Sequence, residues 1–485
     1  MMFKPDRPGV LTRRQGLKVL ASAPLVLAAG ARAQSVGGLP PLPEADVRVL
    51  DQGHVDYERF MPAYNARTMK RPRWRAMCAT AVGVQRVVEA AAERNIPFAI
   101  RAGGHSFEGL SQSDTLVVDV RPLNRIAIDP ASRTMSVGAG ASLGEIYRAA
   151  ARAGFCFPAG SCPTVGLAGH IQGGGFGLLS RPLGLASDSL LEVELVRAKG
   201  GITRVSPASD PDLFWALQGG GGGTFGAVTS FRLRLHPAGV VQTFVQSFTV
   251  GRDAAIRIME AWQQWAPRTA REITCLLSLR AAAQGRLSLR LAGKSTGSTQ
   301  QLVTELARFA SLAGQTVSAS VRSGSFLEAV DRFSGGWNYE SKFSKGKSDV
   351  VLQPLSAAAL ERMVDGIAAR PPNELMVILD AYGGAVSDRK NGDTAFAFRD
   401  ALFCIQYYTS WFNASQSQRR LQSMRDYHAA LRPYMPGFAY VNYCDLDQAN
   451  WPRSYWRDNL PRLMAVKRAT DPGNLFRHAQ SVPTI

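Results

Sequence analysis

The chain has 485 residues, 46% hydrophobic and 19% charged, with a formal net charge of +18. That length exceeds one ordinary core and predicts two or three domains, and the composition excludes a disordered or repetitive chain. The surplus Lys and Arg are scattered, with no run of five or six like charges, which argues against a nucleic-acid-binding face.

At the N-terminus, Thr12-Arg13-Arg14-Gln15-Gly16-Leu17-Lys18 precedes an apolar stretch from Val19 to Ala29 and then Ala31-Arg32-Ala33. Paired arginines, a short apolar region and an A-x-A site read as a bacterial twin-arginine export signal over residues 1–33, with a Sec signal as the alternative because Gly16 stands where Phe is usual. The apolar run is too short to span a bilayer, so the expected product is exported, periplasmic or extracellular, with no stable membrane insertion. Six cysteines (Cys78, Cys156, Cys162, Cys275, Cys404, Cys444) show no metal-ligand spacing, and no metal is expected. A disulfide could form in an oxidising compartment, but sequence does not pair them.

Along the chain, Val84, Val87, Val88 and Ala91 fall on one helical face within 82–95. Residues 97–100 then read as a short buried strand running into Arg101-Ala102-Gly103-Gly104-His105-Ser106, and Leu116 to Val120 is a further strand. Consecutive glycines after a strand let backbone N–H groups converge on an anion such as a pyrophosphate. Met135 to Gly138 reads as a strand, and Ser142 with Glu145 forms a capping box for a helix ending near Gly154. A second glycine-rich stretch runs from Gly160 through Cys162-Pro163-Thr164-Val165-Gly166, Gly169, His170, Gly174 and Gly175 to Gly177. So many glycines suit a chain that approaches a planar ligand closely. Gly221, Gly223 and Gly226 match G-x-G-x-x-G, yet a helical pattern precedes them and a strand pattern (Phe231, Leu233, Leu235) follows. That order is the reverse of a Rossmann turn and excludes dinucleotide binding of that kind.

These glycine stretches, with Asp212-Leu213-Phe214-Trp215-Ala216-Leu217-Gln218-Gly219-Gly220-Gly221, resemble the berberine bridge enzyme-like FAD-linked oxidases of the vanillyl-alcohol oxidase superfamily. The similarity continues through Lys347-Ser348-Asp349, Asp380-Ala381-Tyr382-Gly383-Gly384, Ala395 to Arg399, Tyr440-Val441-Asn442-Tyr443-Cys444-Asp445 and Asp471 to Phe476. The resemblance implies an α+β fold: a two-subdomain p-cresol methylhydroxylase-type FAD-binding domain plus an antiparallel-sheet substrate domain covered by helices. It divides the chain into an FAD-binding part over 34–239, a substrate domain over 240–436 and a segment over 437–485 that completes the FAD domain.

The same resemblance implies that His105 bonds the flavin 8α-methyl carbon and Cys162 ring carbon C6. Arg101, Ala102, Gly103, Gly104, Ser106, Val165, Gly166, Gly169, His170, Gly174, Gly175, Gly177, Val228 and Asn442 are the expected cofactor contacts. FAD would accept hydride at N5 from a hydroxyl of a sugar, oligosaccharide or secondary metabolite, and molecular oxygen would reoxidise it to give hydrogen peroxide. Tyr443 is the first candidate base and Tyr440 the second, with Asp380 and Tyr382 as partners; a phenol titrates near ~10 and needs help to act as a base. Gln406, Tyr407 and Trp411 are expected to line the pocket. In relatives a small residue at the position of Val165 goes with oxygen access, favouring an oxidase over a dehydrogenase that serves another acceptor. A monomer or homodimer is expected.

Overall fold

The computed structural model describes residues 33–34 and 42–485 apart from 317 and 339. The export signal expected over 1–33 lies outside them except for Ala33, which with Gln34 forms a two-residue strand against Leu42–Pro43.

The helix expected from the valine pattern spans Ala81–Glu93, and Val84, Val87, Val88 and Ala91 are all buried. Burying each valine contributes about 1.5–2 kcal/mol. Thr80 caps the helix by accepting from the Gly83 N–H at 2.9 Å, and Asn95 leaves it at φ +51°. It connects Trp74–Cys78 to Phe98–Arg101, which both pair in parallel with Leu116–Asp119; Val47–Asp51 adds an antiparallel edge.

A second sheet of five antiparallel strands has the order Ile202–Val205, Leu190–Val196, Ala227–Arg234, Thr134–Gly138, Ile126–Asp129. The helix Leu143–Arg152 packs beside it and carries the expected capping box: the Glu145 N–H donates to Ser142 Oγ at 3.3 Å and the Ser142 N–H to Glu145 Oε2 at 2.7 Å. As expected, Gly219 to Gly226 lie between a helix, Pro211–Ala216, and the strand Ala227–Arg234. Both sheets share one core, and Ala439, Tyr455, Trp456, Leu463, Val466, Phe476 and Val482 pack into it from the end of the chain.

The third sheet has seven antiparallel strands in the order Ser320–Gly324, Val241–Val250, Leu287–Ser295, Ile273–Ala281, Met376–Ala381, Phe403–Trp411, Phe343–Val351. The helices Arg252–Trp265, Thr299–Ala313, Ala357–Ala368 and Ser417–Leu431 share a second core with one face of it. Strand alternation sends Leu277, Val377, Leu379, Ile405 and Tyr407 into that core, and Leu276, Met376, Ile378, Asp380, Gln406 and Tyr408 toward the glycine loops. The α+β class therefore holds. All six cysteines are unpaired, and among the described residues no helix is long and apolar enough to cross a membrane.

Candidate active site

A cavity of about 540 Å³ lies where the free face of the seven-stranded sheet meets the glycine loops and the segment after Ala439, within the size range of ligand pockets. The loops holding His105 and Cys162 touch backbone to backbone. A Cβ on Gly103 would lie 2.2 Å from the Gly166 nitrogen, and one on Gly166 would lie 2.3 Å from the Gly103 nitrogen. Only paired glycines permit that approach, and it brings His105 and Cys162 to one end of the cavity. The Thr164 hydroxyl stands between them, 3.0 Å from His105 Nε2 and 3.4 Å from Cys162 Sγ. The Tyr64 ring stacks on the imidazole at 4.2 Å between centroids. Burial lowers the His105 pKa to about 3 against a hydrogen bond to the Thr164 backbone, so the ring is neutral and keeps a nucleophilic lone pair.

The middle of the cavity is a cradle of bare backbone. Nothing stands within 4 Å of where a Gly169 Cβ would be, and the nearest atom to one on Gly222 is 3.4 Å away. Side chains at those positions would fill the space a planar ligand takes. Gln172 Oε1 lines the same cradle, buried and with no partner among the described residues. The residues present therefore fit a large, planar, polar group such as FAD. Ala102, Gly103, Gly104, Ser106, Val165, Gly166, Gly169, His170, Gly177, Val228 and Asn442 all line the cavity. His170 Nε2 accepts from the Gly160 N–H at 3.0 Å, and burial lowers its pKa to about 4, so it too is neutral.

Three of the expected cofactor contacts are elsewhere. Arg101 is buried beneath its loop and donates to the carbonyls of Met61 and Pro62, a bracing role that its charge in the motif disguised. Gly174 and Gly175 turn behind the cavity, with φ of +106° and +81°; their carbonyls accept from the Ser187 and Ala186 N–H groups.

On the sheet side, Tyr443 and Asp380 both line the cavity. The Tyr443 hydroxyl has no hydrogen-bond partner among the described residues; burial holds its pKa well above the usual phenol value, with Asp380, Cys404 and Tyr440 adding to the shift. Burial also raises Asp380, to about 7. Tyr440 differs: its oxygen accepts from the N–H groups of Gly175 (3.0 Å) and Phe176 (3.2 Å) and from Asn442 Nδ2 (2.8 Å). Burial pushes its pKa up to about 12 despite those three donors, and its oxygen is committed to holding the glycine turn.

Tyr382 lies one residue past its strand, buried, with its ring stacked on Phe176 at 4.8 Å. It does not line the cavity. Gln406 lines it as expected, but Tyr407 does not: alternation puts Tyr408 there and turns Tyr407 toward the helices, beside Tyr427 and His428. Trp411 is buried against Phe343.

Tyr64, Thr164, Phe107 and a buried ionic cluster escaped the sequence reading. Lys345 contacts Glu108 and, at 2.5 Å, Asp445; Lys347 reaches Asp445 at 2.7 Å and Asp447 at 2.8 Å. Burial would raise the Asp445 carboxyl, but the two lysines outweigh it and hold the pKa below its usual value. The cluster ties the His105 loop, the sheet edge and the Tyr443 segment together. Strict alternation of Lys345 and Lys347 with Ser344, Gly346 and Ser348, inside a strand, was the available signal, because two lysines on one strand face need acidic partners.

Residues 72–206 match the FAD binding domain family, and residues 439–483 match the berberine and berberine-like family. An FAD-linked oxidoreductase of Bacillus subtilis is 32% identical over 443 residues, spanning 90% of this chain and 97% of the relative. The reticuline oxidase of Eschscholzia californica is 31% identical over 436 residues, spanning 79% and 78%. Among solved structures, berberine bridge enzyme-like 1 of Physcomitrella patens superimposes with a TM-score of 0.85 at 29% identity, covering 91% of this chain and 98% of that one. The berberine bridge enzyme of Eschscholzia californica gives 0.83 at 26% identity, covering 90% and 96%. Fold, cradle and matches together define an FAD-dependent oxidoreductase. The chain belongs to the berberine bridge enzyme-like family, as the glycine loops and the Tyr440–Asp445 segment led us to expect.

Proposed function

We propose that this enzyme holds FAD by two covalent bonds, from His105 to the 8α-methyl carbon and from Cys162 to ring carbon C6, and works as an oxidase on a hydroxyl-bearing small molecule. The observation that carries the reading is the convergence of a neutral, half-buried imidazole and a thiol on one hydroxyl, at 3.0 and 3.4 Å, beside a glycine cradle. When bound, the flavin accepts a hydride at N5 and passes the electrons to dioxygen, giving hydrogen peroxide.

The protein's own part is to orient substrate and move one proton. Tyr443 takes the substrate O–H proton as hydride leaves the carbon, and Asp380, on the same cavity wall and raised by burial to about 7, is a carboxylate able to accept a proton only above that pH. Lys345 and Lys347 act through Asp445 to keep Tyr443 in register. Leu276, Met376 and Ile378 give the substrate wall an apolar character beside Gln406 and Tyr408, which favours a secondary metabolite over a bare sugar or oligosaccharide. Val165 is small enough to leave oxygen a path, which favours oxidase over dehydrogenase. Export of the folded enzyme by a twin-arginine signal over 1–33 belongs to the same reading. So does its division into an FAD domain (34–239 with 437–485) and a substrate domain (240–436), supported by the core that chain-terminal residues share with the first two sheets.

Acid precipitation tests the attachment: a yellow pellet is expected, and a colourless one from flavin-loaded protein refutes it. A peroxide-coupled screen of aromatic alcohols, polyketide glycosides and sugars tests the substrate class.

A further inference from the structure

We propose that Thr164 is a shared positioning residue for both flavin attachment sites, presenting His105 and Cys162 through one hydroxyl. The inference rests on the two-bond reading above. Three observations fix the residue. The carbonyls on either side of it are held by the start of the helix Leu143–Arg152: the Gly144 N–H donates to Pro163 O at 2.8 Å and the Leu143 N–H to Val165 O at 2.9 Å. The turn closes on itself where the Val165 N–H donates to Cys162 O at 3.3 Å. The hydroxyl then lies 3.4 Å from Cys162 Sγ and 3.0 Å from His105 Nε2, although the two residues come from separate loops. With Tyr64 stacked on the ring face at 4.2 Å, the imidazole is held on its face by one residue and at its edge by another.

Each attachment forms one bond from a side chain to a flavin carbon. The side chain gives up its N–H or S–H proton, the flavin carbon gives up one hydrogen as a proton, and two electrons enter the flavin and leave to dioxygen, which becomes hydrogen peroxide. Neither step supplies its own orientation, because histidine and cysteine rotate about their side-chain bonds. A nucleophile held in an attack geometry reacts faster than one that must find it, and here one rigid turn holds both. Loss of the hydroxyl therefore impairs both bonds together, slowing each about tenfold or more.

The test compares wild-type holoenzyme with Thr164→Val and Thr164→Ser, purified after the same expression time. Total FAD is measured before acid treatment, and the His105 and Cys162 flavin–peptides are quantified by mass spectrometry. Thr164→Val should bind FAD yet show both cross-linked peptides reduced together, with yellow flavin released into the acid supernatant. Thr164→Ser should keep both. Full double attachment in Thr164→Val, or loss of one link alone, overturns shared positioning. Loss of both in Thr164→Ser overturns it too, so the proposal stays refutable should the valine variant fail to fold. Wild-type protein that released all its FAD would instead refute the two-bond reading itself, a separate and recognisable failure.

Discussion

Replacing Asp380 with Asn should make the enzyme more stable at alkaline pH while making it slower. The carboxyl lies against the cavity at 8% exposure, and burial raises its pKa from 3.8 to about 7. In the folded chain it therefore stays protonated over a window in which the unfolded chain has already lost the proton. Folding takes up a proton between those two values, so the stability this group confers is complete below pH 3.8 and is lost as pH rises to about 7. A shift of roughly three units corresponds to about 4 kcal/mol, of which about 3 kcal/mol falls between pH 5 and pH 8. Asp380→Asn has no proton to lose. Thermal melts of wild type and variant at pH 5 and pH 8 should thus diverge, the variant gaining roughly 5 °C on wild type over that interval. Its kcat/KM should fall and lose the limb near pH 7, since the proton has no carboxylate to reach. Parallel melting curves at both pH values would refute the argument that burial holds this carboxyl neutral.

Tyr443→Phe should lower kcat about 10²–10⁴-fold with flavin content unchanged, measured by absorbance and turnover on the same sample. Val165→Leu should slow the reoxidation of reduced enzyme by air while leaving its reduction intact, a split that stopped-flow absorbance resolves. Gly103→Ala forces a Cβ to within 2.2 Å of the Gly166 nitrogen, so it should cost more than about 2 kcal/mol and deplete bound flavin, checked by melting and the visible spectrum. Lys347→Met strips a buried cation from Asp445 and Asp447 and should destabilise by about 3 kcal/mol, read by denaturant unfolding.

What was legible in the sequence was what repeats or is chemically rare. The valine pattern of Ala81–Glu93 and the Ser142–Glu145 box declare their helices through local rules, and both formed within a residue or two of expectation. His105 and Cys162 stood out because each sits in a glycine setting that a structural element would not tolerate. Residues whose role depends on which face of an element they occupy were harder. Tyr407 and Tyr408 are adjacent, and a one-residue change of register exchanges core for cavity, so naming the wrong one was a matter of phase. Arg101 was expected among the cofactor contacts because it opens the glycine motif, yet its guanidinium serves the carbonyls of Met61 and Pro62, about forty positions away in sequence and invisible to any local rule. Thr164 and Tyr64 meet His105 from other loops, and neither residue type announces such a contact.

The cavity's walls have consequences for how the protein is made. The glycine loops are synthesised early, the apolar wall in the middle, and Asn442, Tyr443, Phe476 and His478 last, yet all line one cavity. While the chain is still emerging from the ribosome there is no enclosed place for a flavin to lodge, however well the early loops have folded. Cofactor capture must wait until translation is nearly finished, and a nascent chain stalled before residue 439 would be unable to close its site around the flavin.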